Sequence, residues 1–222
     1  MQIISHRGAK GHGSENTAES IAVAATKKVR YIEFDIQHTK NKRIVVYHDK
    51  VTPTGKVIND TTYAAVVREV PSIIELSTAL KMCGTVPALI ESKTAGTIAR
   101  ALPILAKHPA AAIASFVEEE ILAARINASS HTTYLLQHYH PFGIIEKAKA
   151  VDAHGIGLNK NWFVLLPYYA YKAKKNRLKL YVYTVNSTLL AQIIAHIAPA
   201  AMLCTDYPDT MIALKGNAHA HK

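Results

Sequence analysis

Strand-like and helix-like stretches alternate along this 222-residue chain, and this alternation constrains its fold more than any other feature. Strands are predicted at residues 3–5, 31–36, 88–91, 112–115, 134–136, 155–158, 180–184 and 202–204. A helix is predicted after each of them, at residues 17–28, 73–82, 97–107, 118–126, 142–151, 164–175, 188–196 and 210–214. An open doubly wound sheet also alternates in this way, but eight units in a chain of this length favour a (β/α)8 TIM barrel of the α/β class.

An extra strand, residues 44–47, does not fit the alternation. Only residues 39–43 separate it from the second strand, whereas a parallel crossover needs about a dozen residues or more. We therefore predict an antiparallel hairpin that turns at Asn41-Lys42. Pairing outward from that turn places His48 opposite Asp35.

The bulk composition indicates a globular chain, with 49% hydrophobic and 19% charged residues. No linker or internal repeat divides it, so we expect one domain over residues 1–222. Cys83 and Cys204 belong to no CxxC pair, which argues against a zinc site or a disulfide framework. With no signal peptide before the first strand and no long apolar run, we expect a cytoplasmic protein. The histidine-rich tail, residues 219–222, is expected to fray.

The net charge of +10, from 26 Lys and Arg against 16 Asp and Glu, favours anionic partners. Phosphate esters fit this charge, as does peripheral contact with an anionic membrane surface. The basic residues are scattered, without a long basic tract interleaved with aromatics, so nucleic acid is not expected. The oligomeric state is left open.

Polar residues follow several predicted strands, at the end of a barrel where reacting groups gather. Glu33 and Asp35 are two residues apart and share a face of the second strand, and Glu91 ends the next barrel strand. Three like charges in a confined space need a compensating cation. A hard divalent ion, Mg²⁺ or Ca²⁺, is the natural ligand of such an all-oxygen cluster.

Two histidines and two cations flank these carboxylates in the predicted barrel. His6 and His48 offer an acid and a base near neutral pH, and Arg7 and Lys93 suit a phosphate oxyanion. Each motif alone is weak, since an ExD pair or a His-Asp turn is common in proteins of other kinds. Their joint placement at strand ends makes a metal-dependent phosphate site the better interpretation.

The ordered motifs also resemble those of a known family. They are His6-Arg-Gly, Glu15-Asn-Thr17, Glu33-x-Asp35, Val45-Val-x-His-Asp49, Glu91-x-Lys93, Thr184-Val-Asn186 and Thr205-Asp-x-Pro208. As an ordered set, extending from the first strand to the last, they resemble the glycerophosphodiester phosphodiesterases.

This resemblance implies hydrolysis of glycerophosphodiesters to glycerol 3-phosphate and an alcohol. It also implies the residue roles: a divalent metal on Glu33, Asp35 and Glu91, acid–base catalysis by His6 and His48, and phosphate contacts by Arg7 and Lys93. Which histidine is the acid, and whether water or a substrate hydroxyl attacks, stays open.

Several supporting positions are less determined. Glu15 either touches the metal or supports Arg7, and Asn16 is predicted to cap the helix that begins at Thr17. Tyr183 replaces the family's usual Trp and still offers an apolar wall, and Trp162 with Phe163 either lines the mouth or packs beneath it. Residues 50–87, where the family carries a capping insertion, look shortened and leave the pocket open.

Two other functions remain as alternatives. The same residues would support phospholipase D-like cleavage of lysophospholipids or related choline phosphodiesters, which an open pocket would admit. A barrel that binds polyanions without catalysis is the alternative of another class. Removing the histidines separates it from an enzyme, because a binder would keep its affinity.

Overall fold

The fold is described from a computed structural model, which covers residues 1–127 and 130–217. The histidine-rich tail at residues 219–222 lies outside the described residues. Strands in the described part are β1 (Gln2–Ser5), β2 (Tyr31–His38), β3 (Ile44–Val46), β4 (Ile74–Glu75), β5 (Ala88–Ser92), β6 (Ala112–Ser115), β7 (Thr132–Gln137), β8 (Gly155–Asn159), β9 (Lys179–Tyr183) and β10 (Met202–Thr205). Eight of these described strands are parallel neighbours, and β1 pairs with both β2 and β10. The barrel is therefore closed, and the predicted (β/α)8 fold is confirmed.

A helix follows each barrel strand, as the sequence predicts. The helices within the described ranges are α1 (Ala18–Ala25), α2 (Tyr63–Glu69), α3 (Leu76–Met82), α4 (Thr97–Leu105), α5 (Glu118–Asn127), α6 (Ile144–Ala150), α7 (Leu166–Lys175), α8 (Thr188–Ile197) and α9 (Pro208–Asn217). Among the described residues, none of these helices has the length and apolar character needed to cross a bilayer.

Side chains along β2 alternate between two environments. Ile32, Phe34 and Ile36 are fully buried in the layer between the strands and the helices. Tyr31 points the other way, into the lumen, where it joins Ile4, Leu89, Ala112, Ala114, Tyr134, Leu136, Tyr181, Met202 and Cys204. Because side chains on a strand alternate strictly, Glu33 and Asp35 lie above Tyr31 on the lumen face. These apolar side chains therefore fill the lower part of the barrel lumen, and the charged groups lie at the mouth formed by the C-terminal ends of the strands.

The hairpin after β2 is antiparallel, but its predicted register is wrong by one residue. Ile36 pairs with Val46, and the Tyr47 amide, not that of His48, donates to the Asp35 carbonyl at 3.0 Å. The cause is a three-residue turn closed by the Thr39 amide and the Arg43 carbonyl at 2.9 Å. Lys42 has a φ of +65°, the left-handed residue that such loops require.

Residues 47–75 form a small cap beside the barrel mouth. β4 pairs antiparallel with β3, and a short 3-10 helix, Ile58–Asp60, precedes α2. A separate apolar cluster of Val45, Ile58, Val66 and Ile73 supports this cap. The helix predicted at residues 73–82 begins only at Leu76, since the two residues before it are drawn into the ladder with β3.

The packing of the lumen generates a prediction about Gly157. A Cβ atom at this position in β8 would lie 2.6 Å from Leu136 Cδ2 and 2.7 Å from Tyr181 Cζ. Gly157→Ala is therefore expected to lower the free energy of unfolding by about 1–3 kcal/mol, the usual cost of overpacking a core. The measurement is the urea midpoint, with Ala110→Val, a change at an exposed position, as the control. An unchanged midpoint for Gly157→Ala would contradict the close packing around β8.

Candidate active site

Three carboxylates meet at the barrel mouth. Asp35 of β2 is the register partner of Glu91 of β5, and Glu33 lies one lumen position below Asp35. One oxygen from each lies within 4.8 Å of the others. Glu33 and Asp35 are buried, and the Glu91 side chain keeps only 12% of its exposure. Neighbouring parallel strands therefore gather these side chains, as the sequence predicts.

Glu33 is the least compensated member of this cluster. Burial, followed by the charges of Asp35 and Glu91, raises the pKa of Glu33 well above its usual value. The Arg7 amide donates to Glu33 Oε2 at 2.8 Å. The other oxygen, Oε1, is buried and has no hydrogen-bond partner among the described residues. A buried carboxylate oxygen of this kind fits a bound cation.

Lys93 and Arg7 bring positive charge to the cluster. Lys93 Nζ lies 2.9 Å from Asp35 Oδ1 and also contacts Glu91. Burial acts to lower the pKa of Lys93, but Glu91 and Asp35 outweigh it, and the pKa is raised. Burial likewise acts to raise the pKa of Asp35, while Lys93 and Arg7 bring it below its usual value. Asp35 is thus held as an anion, and both cations stay charged.

Glu15 lies behind Arg7, away from the carboxylate cluster. Its Oε1 accepts a hydrogen bond from Arg7 Nη1 at 2.6 Å, and its Oε2 lies 2.5 Å from Lys10 Nζ. The guanidinium is thereby fixed with Nε 3.4 Å from Asp35 Oδ2. Of the two roles left open by the sequence, this geometry favours support of Arg7.

Asn16 does not cap helix α1, contrary to the prediction. Thr17 is the N-cap and forms a reciprocal capping box with Ser20. Asn16 instead has a φ of +56° and turns its amide toward Asp35. Its Nδ2 donates to Asp35 Oδ2 at 2.8 Å, and its Oδ1 accepts from the Asp35 amide at 3.1 Å. Asn16 therefore orients a carboxylate of the cluster.

His6 is held at the end of β1 by an acidic partner. Its Nδ1 lies 2.6 Å from Asp206 Oδ1, and its Nε2 lies 4.0 Å from Glu33 Oε2. Asn186 Nδ2 donates to the other Asp206 oxygen at 2.6 Å. Sequence reasoning did not assign roles to Asp206 and Asn186, although both stand in motifs at strand ends.

His48 reaches the cluster from the cap. Its Nδ1 lies 2.8 Å from Asp49 Oδ1. Burial is the main cause of a lowered pKa at His48, and Lys93 and Arg7 also lower it, while Asp35 and Asp49 act in the opposite direction. A neutral imidazole is therefore favoured. In both histidines a carboxylate binds Nδ1, which leaves Nε2 for proton transfer.

Aromatic residues line one side of the mouth. Phe116 makes edge contacts with His138 and Tyr183, with ring centroids 6.3 and 6.1 Å apart. Tyr183 donates to the Gln137 carbonyl at 2.9 Å, and Trp162 Nε1 donates to the His138 carbonyl at 3.0 Å. A cavity of about 410 Å³ opens here, lined by Phe116, Leu136, Gln137, His138, Tyr139 and His140. Lys93 Nζ lies 5.9 Å from the Phe116 ring centroid, so this wall adjoins the charged cluster.

The donor set is suited to a hard metal ion. Glu33, Asp35 and Glu91 offer only oxygen atoms, and one oxygen of Glu33 lacks a partner within the described part of the chain. Oxygen ligands are those that Mg²⁺ and Ca²⁺ prefer. The residues present therefore fit a divalent cation.

Comparison with known proteins agrees with this geometry. Residues 6–97 match the sequence profile of the Glycerophosphoryl diester phosphodiesterase family. A glycerophosphodiester phosphodiesterase of Haemophilus influenzae is 49% identical over 47 residues, which are 21% of this chain and 13% of that protein. The matched segments span 13% to 20% of the curated relatives' own length. The resemblance seen in the sequence is confirmed.

Solved structures of low sequence identity share the whole fold. A glycerophosphodiester phosphodiesterase of Parabacteroides distasonis superposes with a TM-score of 0.85 at 18% identity, covering 98% of each chain. An Oleispira antarctica phosphodiesterase, solved with the product sn-glycerol-3-phosphate, gives a TM-score of 0.84 at 19% identity, covering 97% of each chain.

The carboxylate cluster generates a prediction about metal and stability. Mg²⁺ or Ca²⁺ at about 100 times its dissociation constant should stabilise the fold by about 2.7 kcal/mol. The Glu33→Gln variant should lose most of this stabilisation. When both proteins are free of metal, the variant should melt at a higher temperature than the wild type, because one of the mutually repelling charges has been removed. The measurement is thermal unfolding with and without each ion.

Asp152→Asn is the control for this experiment, since Asp152 is an exposed carboxylate paired with Arg125, outside the cluster. It should keep the full metal effect. Equal stabilisation of wild type and Glu33→Gln would place the metal elsewhere.

Proposed function

We propose that this chain, which carries the glycerophosphoryl diester phosphodiesterase motifs over residues 6–97 on the fold of those proteins, is a metal-dependent phosphodiesterase. Its proposed reaction is hydrolysis of glycerophosphodiesters to glycerol 3-phosphate and an alcohol. The observation that carries the proposal is the placement of two carboxylate-bound histidines, His6 and His48, around one cluster of acids and cations.

Glu33, Asp35 and Glu91 would hold the divalent ion, Mg²⁺ or Ca²⁺. When bound, that ion supplies Lewis acidity toward a phosphate oxygen. Arg7 and Lys93 lie against the same carboxylates and would stabilise the negative charge that builds on the phosphate in the transition state. Because both cations are paired with Asp35, their side chains are already in place before substrate binds, and little free energy is needed to reorganise them.

The two histidines would divide the proton transfers. One removes a proton from the attacking oxygen, of water or of the neighbouring glycerol hydroxyl, and the other gives a proton to the leaving alkoxide. Asp206 supports His6 from within the barrel, whereas Asp49 supports His48 at an exposed position. In this proposal, one of the two acid–base residues, His6, follows a barrel strand, and the other, His48, lies in the cap.

A second candidate substrate class is supported by the aromatic wall. Phe116, His138 and Tyr183 offer apolar and π surfaces beside Lys93, and aromatic faces attract quaternary ammonium groups. Choline phosphodiesters or lysophospholipids, cleaved in a phospholipase D-like manner, fit this surface. The third possibility, a polyanion-binding barrel without catalysis, leaves the paired histidines without a purpose.

We also propose that residues 1–222 form one domain. The shortened cap, expected at about residues 50–87, is supported by the compact segment at residues 47–75, whose side chains form their own small core. Such a short cap leaves the mouth wide, which suits alcohols of different sizes.

Chelation tests the metal requirement directly. EDTA should abolish phosphodiester hydrolysis, and Mg²⁺ or Ca²⁺ should restore it, because uncompensated carboxylates would repel the substrate phosphate. Release of glycerol 3-phosphate and of free choline from a panel of phosphodiesters is the measurement, and it also separates the two substrate classes. Full activity after exhaustive chelation, with no metal by elemental analysis, would refute the proposal.

Removing either histidine tests the acid–base roles. His6→Ala and His48→Ala should each lower kcat by at least about 10²-fold, the scale of general acid–base catalysis. His196→Ala, a change at an exposed position on α8, should leave kcat unchanged. A polyanion binder would keep its affinity in all three variants, and near wild-type turnover of His6→Ala or His48→Ala would exclude that residue from the chemistry.

A further inference from the structure

His48 lies on a segment that belongs to no strand or helix. β3 ends at Val46, and residues 47–50, with which the cap begins, form no strand or helix. The main chain is bound to neighbouring backbone on either side of His48, through the Tyr47 amide to the Asp35 carbonyl and through the Lys50 carbonyl to the Ile58 amide, both at 3.0 Å. A side chain carried by such a segment needs other contacts to hold its position.

Gln37 supplies those contacts from the lumen face of β2. Its Nε2 donates one hydrogen bond to the Tyr47 carbonyl at 3.0 Å and another to the Asp49 carbonyl at 2.6 Å. These carbonyls belong to the residues on either side of His48. Gln37 follows Glu33 and Asp35 with the same two-residue spacing, so one strand face carries two of the carboxylates and the group that binds the histidine segment.

The hydrogen bonds of the Gln37 side-chain amide fix its orientation toward the two carbonyls. The residue is fully buried, and both hydrogens of its amide nitrogen are used. Its Oε1 is buried without a hydrogen-bond partner in the described ranges. Rotating the amide would bring this oxygen against two carbonyl oxygens, so the orientation is fixed by the acceptors. A buried polar atom left without a partner is a cost that calls for a functional reason.

We propose that Gln37 is a positioning residue that holds His48 at the reacting phosphate. The inference rests on the proposed function, because it requires His48 to transfer a proton. Gln37 binds the main chain on both sides of the histidine and thereby fixes the distance from the imidazole to the Asp35 cluster. A displacement of about 1 Å in such a group costs on the order of 10²-fold in rate.

Gln37→Met is the principal test, because methionine fills a similar volume without donating a hydrogen bond. It should lower kcat for glycerophosphocholine by about 10- to 100-fold and change KM little, since the carboxylates, Arg7 and Lys93 are untouched. Gln37→Glu, of the same shape, replaces the donor by an acceptor and should show at least as large a loss. Thr133→Val is the matched control, because Thr133 is a fully buried polar residue on β7 that bonds His154.

A double-mutant comparison shows whether Gln37 acts through His48. In the His48→Ala background, Gln37→Met should lower the remaining kcat by less than about 2-fold. An equal loss in both backgrounds would overturn the proposal, because a general structural role lowers both alike. Unchanged kcat in Gln37→Met with intact His48 would also overturn it.

An NMR measurement keeps the test independent of turnover. The His48 ring signals should be single and sharp in the wild type and in Thr133→Val, and broadened or multiple in Gln37→Met with an otherwise unchanged spectrum. Unaltered His48 signals in Gln37→Met would overturn the proposal. A wild-type protein without phosphodiesterase activity would refute the proposed function instead, and the ring signals would still report whether Gln37 holds the histidine.

Discussion

The mutual repulsion of three buried carboxylates is the constraint on which the rest of the site depends. Glu33, Asp35 and Glu91 are brought within 4.8 Å of one another by the pairing of β2 with β5. Such a cluster is costly unless cations compensate it. Lys93 and Arg7 provide part of that charge, and the unpartnered oxygen of Glu33 is the position where a metal ion would complete it.

Residues near the three carboxylates make contacts that hold these charges in place. The side-chain amide of Asn16 binds both the carboxylate and the main-chain amide of Asp35, and Glu15 holds Arg7 close to Asp35. These residues share no strand with the acids and reach them from the loop between β1 and α1. The loop between β1 and α1 therefore supplies hydrogen bonds and positive charge to the carboxylates on β2.

The two histidines, for which we propose proton transfer, are held in place in different ways. His6 ends a barrel strand and is backed by a chain of hydrogen bonds through Asp206 to Asn186. His48 lies on irregular chain outside the barrel, between two carbonyls, of Tyr47 and Asp49, that accept hydrogen bonds from Gln37. Aromatic residues, among them Phe116 and Tyr183, form one wall of the mouth that both histidines approach.

The sequence by itself determined the barrel, the hairpin and the acids at the strand ends, since alternating patterns and loop lengths are local properties. The hairpin register predicted from the sequence was wrong, because the turn contains three residues instead of two, with Lys42 in the left-handed conformation. The sequence also misassigned Asn16 and gave no signal for Gln37. Their partners are distant in the chain or lie across the hairpin, and only closure of the barrel and folding of the cap bring those hydrogen-bonding groups together.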